Sequence, residues 1–114
     1  MITGRLARKW AWALLPLAMP AAVAGQVGGG ALIGQVTDQA GAAVPGATVT
    51  ATAVGTNLPR VGVTASDGTY SFPRLATGAY RVHVELSGFR PLTREGIQVA
   101  TGETVRLDLQ LQIG

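Results

Sequence analysis

The chain has 114 residues, no cysteine and a formal net charge of +3. That length favours one domain, and without disulfides a domain of this size depends on its core alone. The excess charge sits in Arg5, Arg8 and Lys9. Beyond them six arginines (Arg60, Arg74, Arg81, Arg90, Arg94, Arg106) meet six acids (Asp38, Asp67, Glu85, Glu95, Glu103, Asp108). The remainder is close to neutral, with no basic face for a nucleic-acid backbone.

Residues 1–25 have the organisation of a signal peptide. A positive start is followed by an apolar run from Trp10 to Val23, and Ala22-Val23-Ala24 supplies the small residues that signal peptidase accepts. The run of 14 residues, interrupted by Pro16 and Pro20, is short of the roughly 20 that a membrane span needs. The mature chain is expected to carry no membrane span, and with no cysteine it has no site for a lipoprotein anchor. Residues 26–30, QVGGG, read as a flexible joint.

From residue 31 no run has helical apolar spacing. Period-two alternation recurs instead, broken by glycine and proline every eight to twelve residues, which is the pattern of an all-β sandwich. A first strand is expected over 31–37, with Leu32, Gly34 and Val36 on one side. The Pro45-Gly46 pair suits a type II turn, in which proline fixes φ and glycine takes the positive φ that follows. Over 47–54, Val49, Ala51 and Ala53 alternate with Thr48, Thr50 and Thr52, giving a half-buried strand with a hydroxyl face. Residues 60–65 repeat the scheme, with Val61 and Val63 expected inward. Tyr70 and Phe72 share a side over 69–73. Over 79–87, Tyr80, Val82, Val84 and Leu86 face inward, opposite Arg81, His83, Glu85 and Ser87. Phe89 to Ala100 is less regular, and Pro91 marks it as an edge or bulged strand. Residues 103–111 close the domain, with Val105, Leu107, Leu109 and Leu111 inward.

The stretch Ser66-Asp67-Gly68 allows three readings. A calcium ion takes six to eight oxygens, but alternate positions hold Ala65, Thr69 and Ser71, and the next acid is Glu85. A nucleophilic Ser66 would need a base, and the one histidine, His83, falls on an outward strand position. Turn chemistry fits best: Asp-Gly between alternating strands predicts a tight hairpin of the primed type I, in which Asp67 bonds its own backbone two residues on.

The longer pattern Asp67-Gly68-x-Tyr70-x-Phe72-x-x-Leu75-x-x-Gly78-x-Tyr80-x-Val82-x-Val84, then Gly88-Phe89, resembles the carboxypeptidase regulatory-like domain. Gly34 to Thr50 is similar to that family's opening strand and Pro-Gly turn. The resemblance covers residues 31–112 and implies a seven-stranded Greek-key sandwich of the prealbumin or immunoglobulin-like kind. It also implies one of two settings: beside the catalytic domain of a metallocarboxypeptidase, or after the signal peptide of a TonB-dependent outer-membrane receptor. The matched positions are turn and core residues, so no catalytic, cofactor-binding or metal-binding residue is implied. The Lys–Asn bond of the related collagen-adhesin B-type domains is excluded, since no lysine follows Lys9.

These readings make the chain a non-catalytic exported module without cofactors, located in the periplasm, at the outer membrane or outside the cell. The expected partner is an envelope protein or outer-membrane receptor assembly, reached through the threonine face of 47–54 or the Pro91-marked edge. A carbohydrate-binding module is the alternative, with polysaccharide as ligand. A third reading makes the chain the front part of a longer receptor or peptidase.

Overall fold

The computed structural model describes residues 29–114. The expected signal peptide and the first part of the joint lie outside the described residues. Gly29 and Gly30 already belong to the fold. The Gly29 carbonyl accepts the Gly102 N–H at 2.8 Å, and a Cβ on Gly30 would come within 2.6 Å of the Ala100 and Glu103 carbonyl oxygens.

Eight strands follow: β1 (Gly30–Thr37), β2 (Thr48–Ala53), β3 (Pro59–Val63), β4 (Thr69–Leu75), β5 (Gly78–Glu85), β6 (Leu92–Val99), β7 (Thr104–Arg106) and β8 (Leu109–Gln110). One sheet has β1 between antiparallel β4 and parallel β7 and β8; the other runs β3-β2-β5-β6, all antiparallel. Alternation produces this arrangement directly. Leu32 and Val36 of β1, Val49 and Ala51 of β2, and Tyr80, Val82 and Val84 of β5 are all buried. Their neighbours Gln35, Thr50, Arg81 and His83 are half-buried on the outer faces. Tyr70 and Phe72 complete the centre of the core, their ring centroids 6.0 Å apart.

Three expectations are corrected. The closing strand is two strands, so the described residues hold eight strands rather than seven. Its register against β1 is the same on both sides of the break, pairing Ile33 with Arg106 and Val36 with Leu109. At residues 107–108 the Leu107 N–H still donates to the Ile33 carbonyl at 2.8 Å, and side chains replace the rest of the ladder. The Tyr70 hydroxyl donates to the Leu107 carbonyl, and the Asp108 carboxylate accepts the Gln35 N–H at 2.9 Å. Gly34 admits this packing, since a Cβ there would lie 1.9 Å from the Leu107 oxygen. Burial, reinforced by the nearby Asp108 charge, pushes the Tyr70 phenol well above its ordinary pKa, so it stays a donor.

Strand β3 faces the other way. Val61 and Val63 are 64% and 62% exposed, while Gly62 lies over the Phe72 ring, where a Cβ would meet Cε1 at 3.3 Å. The Phe72 ring fills the space that an inward valine would need. Thr64, next on the inner side, is the one buried polar side chain among the described residues. Its hydroxyl donates to the Val44 carbonyl at 2.7 Å and accepts the Ala47 N–H at 2.9 Å. It therefore sits inside the Pro45-Gly46 turn, in place of the bond that would join the turn's first and fourth residues. Gly46 has the expected positive φ, 78°.

The Asp-Gly turn does not close a hairpin. It carries the chain from β3 in one sheet to β4 in the other, two strands that do not pair. Gly68 N–H bonds the Ala65 carbonyl at 2.8 Å, and Ala65 N–H bonds the Thr69 carbonyl at 2.9 Å. Gly68 has φ 80°, whereas Asp67 is not at positive φ. This is a three-residue turn ending in a left-handed glycine, not the primed type.

Candidate interaction surface

The residues with potential chemistry are engaged within the fold. Asp67 Oδ1 accepts the Thr69 hydroxyl at 2.7 Å and the Thr69 N–H at 3.1 Å. The hydroxyl bond, aided by the amide, holds this carboxyl below the usual aspartate pKa. His83 stands on the outer face of β5, with Nδ1 2.7 Å from Thr93 Oγ1 and Nε2 2.9 Å from Glu85 Oε2. Ser66 is in the inter-sheet turn and has no bond to it. Among the described residues no group of three or more His, Cys, Asp or Glu side chains is placed to hold a metal ion.

The outer face of the second sheet is graded across its strands. Thr48, Thr50 and Thr52 lie opposite Val63, Val61 and Pro59 on one side, and opposite Glu85, His83 and Arg81 on the other. Directly opposed residues share a face. The face therefore passes from apolar at β3, through hydroxyls on β2, to charged and imidazole groups on β5. The aromatics contribute little to it: Tyr70, Phe72 and Tyr80 are buried and Phe89 is half-buried.

Sheet edges invite pairing unless they are blunted, and three of the four are. Strand β6, the Pro91-marked edge, bulges between its pairings of Val82 with Arg94 and Tyr80 with Ile97. It also carries Arg94 and Glu95. Strand β4 bulges where Pro73 and Arg74 oppose Ala31, between the Gly30–Leu75 and Leu32–Phe72 pairs. Arg74 there takes φ 57°. The Arg60 guanidinium crosses from β3 to donate to the Pro73 and Arg74 carbonyls at 3.0 and 3.4 Å. Strands β7 and β8 have three and two residues. Only β3 pairs without a register shift over its whole length and shows apolar side chains on its outer face. Of the five exposed large hydrophobics among the described residues, Leu58, Val61 and Val63 lie on or just before it, and Val54 begins the turn that leads to it.

The profile of the carboxypeptidase regulatory-like domain family matches residues 31–112, from the first strand to just past the last. The chain belongs to this family. The regulatory-like domain is also 35% identical over 82 residues to the TonB-dependent transporter Oar of Myxococcus xanthus, a match covering 70% of this chain and 8% of the transporter. Among solved structures it is similar to the Bacillus anthracis TIE protein, with TM-score 0.64 and 23% identity over 74% of this chain and 16% of that one. It is also similar to a putative carbohydrate binding protein from Bacteroides uniformis, with TM-score 0.61 and 19% identity over 74% of this chain and 41% of that one. At these identities the structural likeness speaks for the fold alone.

Sequence reasoning placed the threonine face correctly and missed the β3 edge. One signal pointed to it. From Gln39 to Leu86 the acids are Asp67 and Glu85, against Arg60, Arg74 and Arg81, so the β3–β4 side is built from a stretch poor in acids.

Proposed function

We propose that the domain is an exported, non-catalytic contact module of the cell envelope, working within or beside an outer-membrane receptor of the TonB-dependent class. The observation that carries this reading is the 35% identity over 82 residues to a segment of such a transporter. The engagement of Asp67, His83 and Tyr70 in bonds within the fold supports a structural role for each. The apolar first segment supports export, with cleavage just past Ala24 and a mature chain beginning at Gly25 or Gln26.

Carbohydrate binding is the second reading, favoured by the likeness to the Bacteroides uniformis protein. Sugar faces stack on exposed aromatic rings, and the buried or half-buried state of Tyr70, Phe72, Tyr80 and Phe89 ranks it second. Separation of the envelope into periplasm, inner membrane and outer membrane tests the first reading, which expects the mature chain with the outer-membrane fraction. Saturable binding of cell-wall or storage polysaccharide, lost on changing an outer-face residue such as Thr50, would reverse the order.

A further inference from the structure

We infer that the free edge of β3 is a strand-addition site for an extended segment in which apolar and acidic residues alternate. The inference deepens the contact role proposed above and rests on it. Ala53 N–H bonds the Leu58 carbonyl at 3.0 Å, and Thr64 N–H bonds the Ala47 carbonyl at 2.9 Å. In an antiparallel pair the bonding direction alternates residue by residue. Residues 58, 60, 62 and 64 therefore direct their backbone groups at β2, and Pro59, Val61 and Val63 direct theirs away. The edge thus offers two N–H groups, from Val61 and Val63, and three carbonyls, Pro59 lacking an N–H.

The side chains define the chemistry of the added strand. On the outer face its residues would lie beside Val61 and Val63, both well exposed, which favours apolar partners. On the inner side they would face Arg60 and the Arg74 rim of the neighbouring sheet. Neither arginine forms an ion pair among the described residues, although Arg106 does so with Asp108 at 3.1 Å. Two cations outside any ion pair favour acidic residues at alternate positions. The bulge explains how Arg74 comes to be there: a non-glycine residue at φ 57° is retained where glycine would be less strained.

The test uses the purified full chain and an acetylated, amidated probe peptide, Thr-Val-Glu-Val-Glu-Val-Thr, with a second peptide carrying Lys for each Glu. Amide exchange followed by NMR should find Val61 and Val63 unprotected in the free protein, beside a protected Gly62. Saturation with the Glu peptide should slow Val61 and Val63 by about tenfold or more. The Lys peptide should bind about tenfold more weakly. Arg74→Glu should cancel that preference, since one of the two attractions becomes a repulsion. Val61→Pro should abolish binding while leaving cooperative melting intact, because that N–H is not used within the sheet.

Equal binding of both peptides, or protection appearing on β6 instead, would overturn the inference. So would protection of Val61 and Val63 that rises with protein concentration alone, because the occupant would then be a second copy of the chain. An edge that stays bare while the protein still fractionates with the outer membrane refutes the edge and not the envelope role. Peptide binding by a protein found in the cytoplasm would refute that role and leave the edge standing.

Discussion

Thr64→Val is the substitution that most sharply tests how the sandwich is held at its β2–β3 end. The change is small in volume and removes one hydroxyl from a residue that is 4% exposed. That hydroxyl bonds the Val44 carbonyl at 2.7 Å and the Ala47 N–H at 2.9 Å, so two backbone groups lose their partner together. A hydrogen bond contributes about 1 kcal/mol net, and a buried group left unsatisfied costs about 1–3 kcal/mol. The expected destabilisation is therefore about 2–4 kcal/mol. For a domain of this size that lowers Tm by roughly 10–25 °C. Thr64→Ser keeps both bonds and loses one methyl, for about 1 kcal/mol. Urea melts of both variants against the parent, analysed for a shared m-value, give the comparison. If Val and Ser are equally destabilising, or Val is the milder, the hydroxyl is not bridging the turn and the account of this corner is wrong.

Other substitutions address the remaining joints. Gly34→Ala puts a methyl on the Leu107 carbonyl, and Gly68→Val adds a branched side chain at φ 80° with the Val36 oxygen 2.6 Å from its Cβ. Each should destabilise by about 1–3 kcal/mol or more in thermal melts, and calcium should rescue neither. Val82→Asp buries an unpaired charge and should abolish cooperative unfolding, whereas His83→Ala and Val63→Thr should shift stability by no more than about 0.5 kcal/mol; a large loss at Val63 would restore the inward reading of β3. Asp108 has its pKa lowered from the ordinary 3.8, chiefly by the Arg106 hydrogen bond. Its contribution is present above that value and disappears as pH falls through the lower folded pKa. Acid titration of Asp108→Asn should show a flatter stability loss below about pH 4 than the parent; an unchanged acid limb would refute this.

Much of this fold was legible because β1, β2 and β5 alternate strongly and lie beside other strands on both sides. Leu32, Val49 and Val82 announce which face is buried. The inward placement of Tyr70, Phe72 and Tyr80 follows from the same rule. Strand β3 was misread for a physical reason: at a sheet edge both faces are partly accessible, so valine on the outer face meets little penalty. Glycine on the inner face was needed to make room for Phe72. Alternation reports a period, and it gives the wrong direction where an edge strand carries its apolar residues, here Val61 and Val63, on the outer face. The Asp-Gly turn was recognised as a turn, yet local chemistry cannot say whether its flanking strands pair, because that depends on the β1–β4 contact. The break at Leu107 and Asp108 was hidden for a similar reason. Val105 to Leu111 alternates without interruption, and the bonds that replace part of the ladder come from Gln35 and Tyr70, more than 30 residues away in the chain.

The envelope-contact account is tested most directly by placing a photo-crosslinking residue at Val63 in the chain expressed in its own cells, with Thr77 as a control position. The account predicts a defined adduct from position 63, recovered in the outer-membrane fraction and identified by mass as a TonB-dependent receptor, with none from position 77. Adducts from 63 to polysaccharide alone, or a protein that stays in the cytoplasm with no receptor adduct at all, would contradict it.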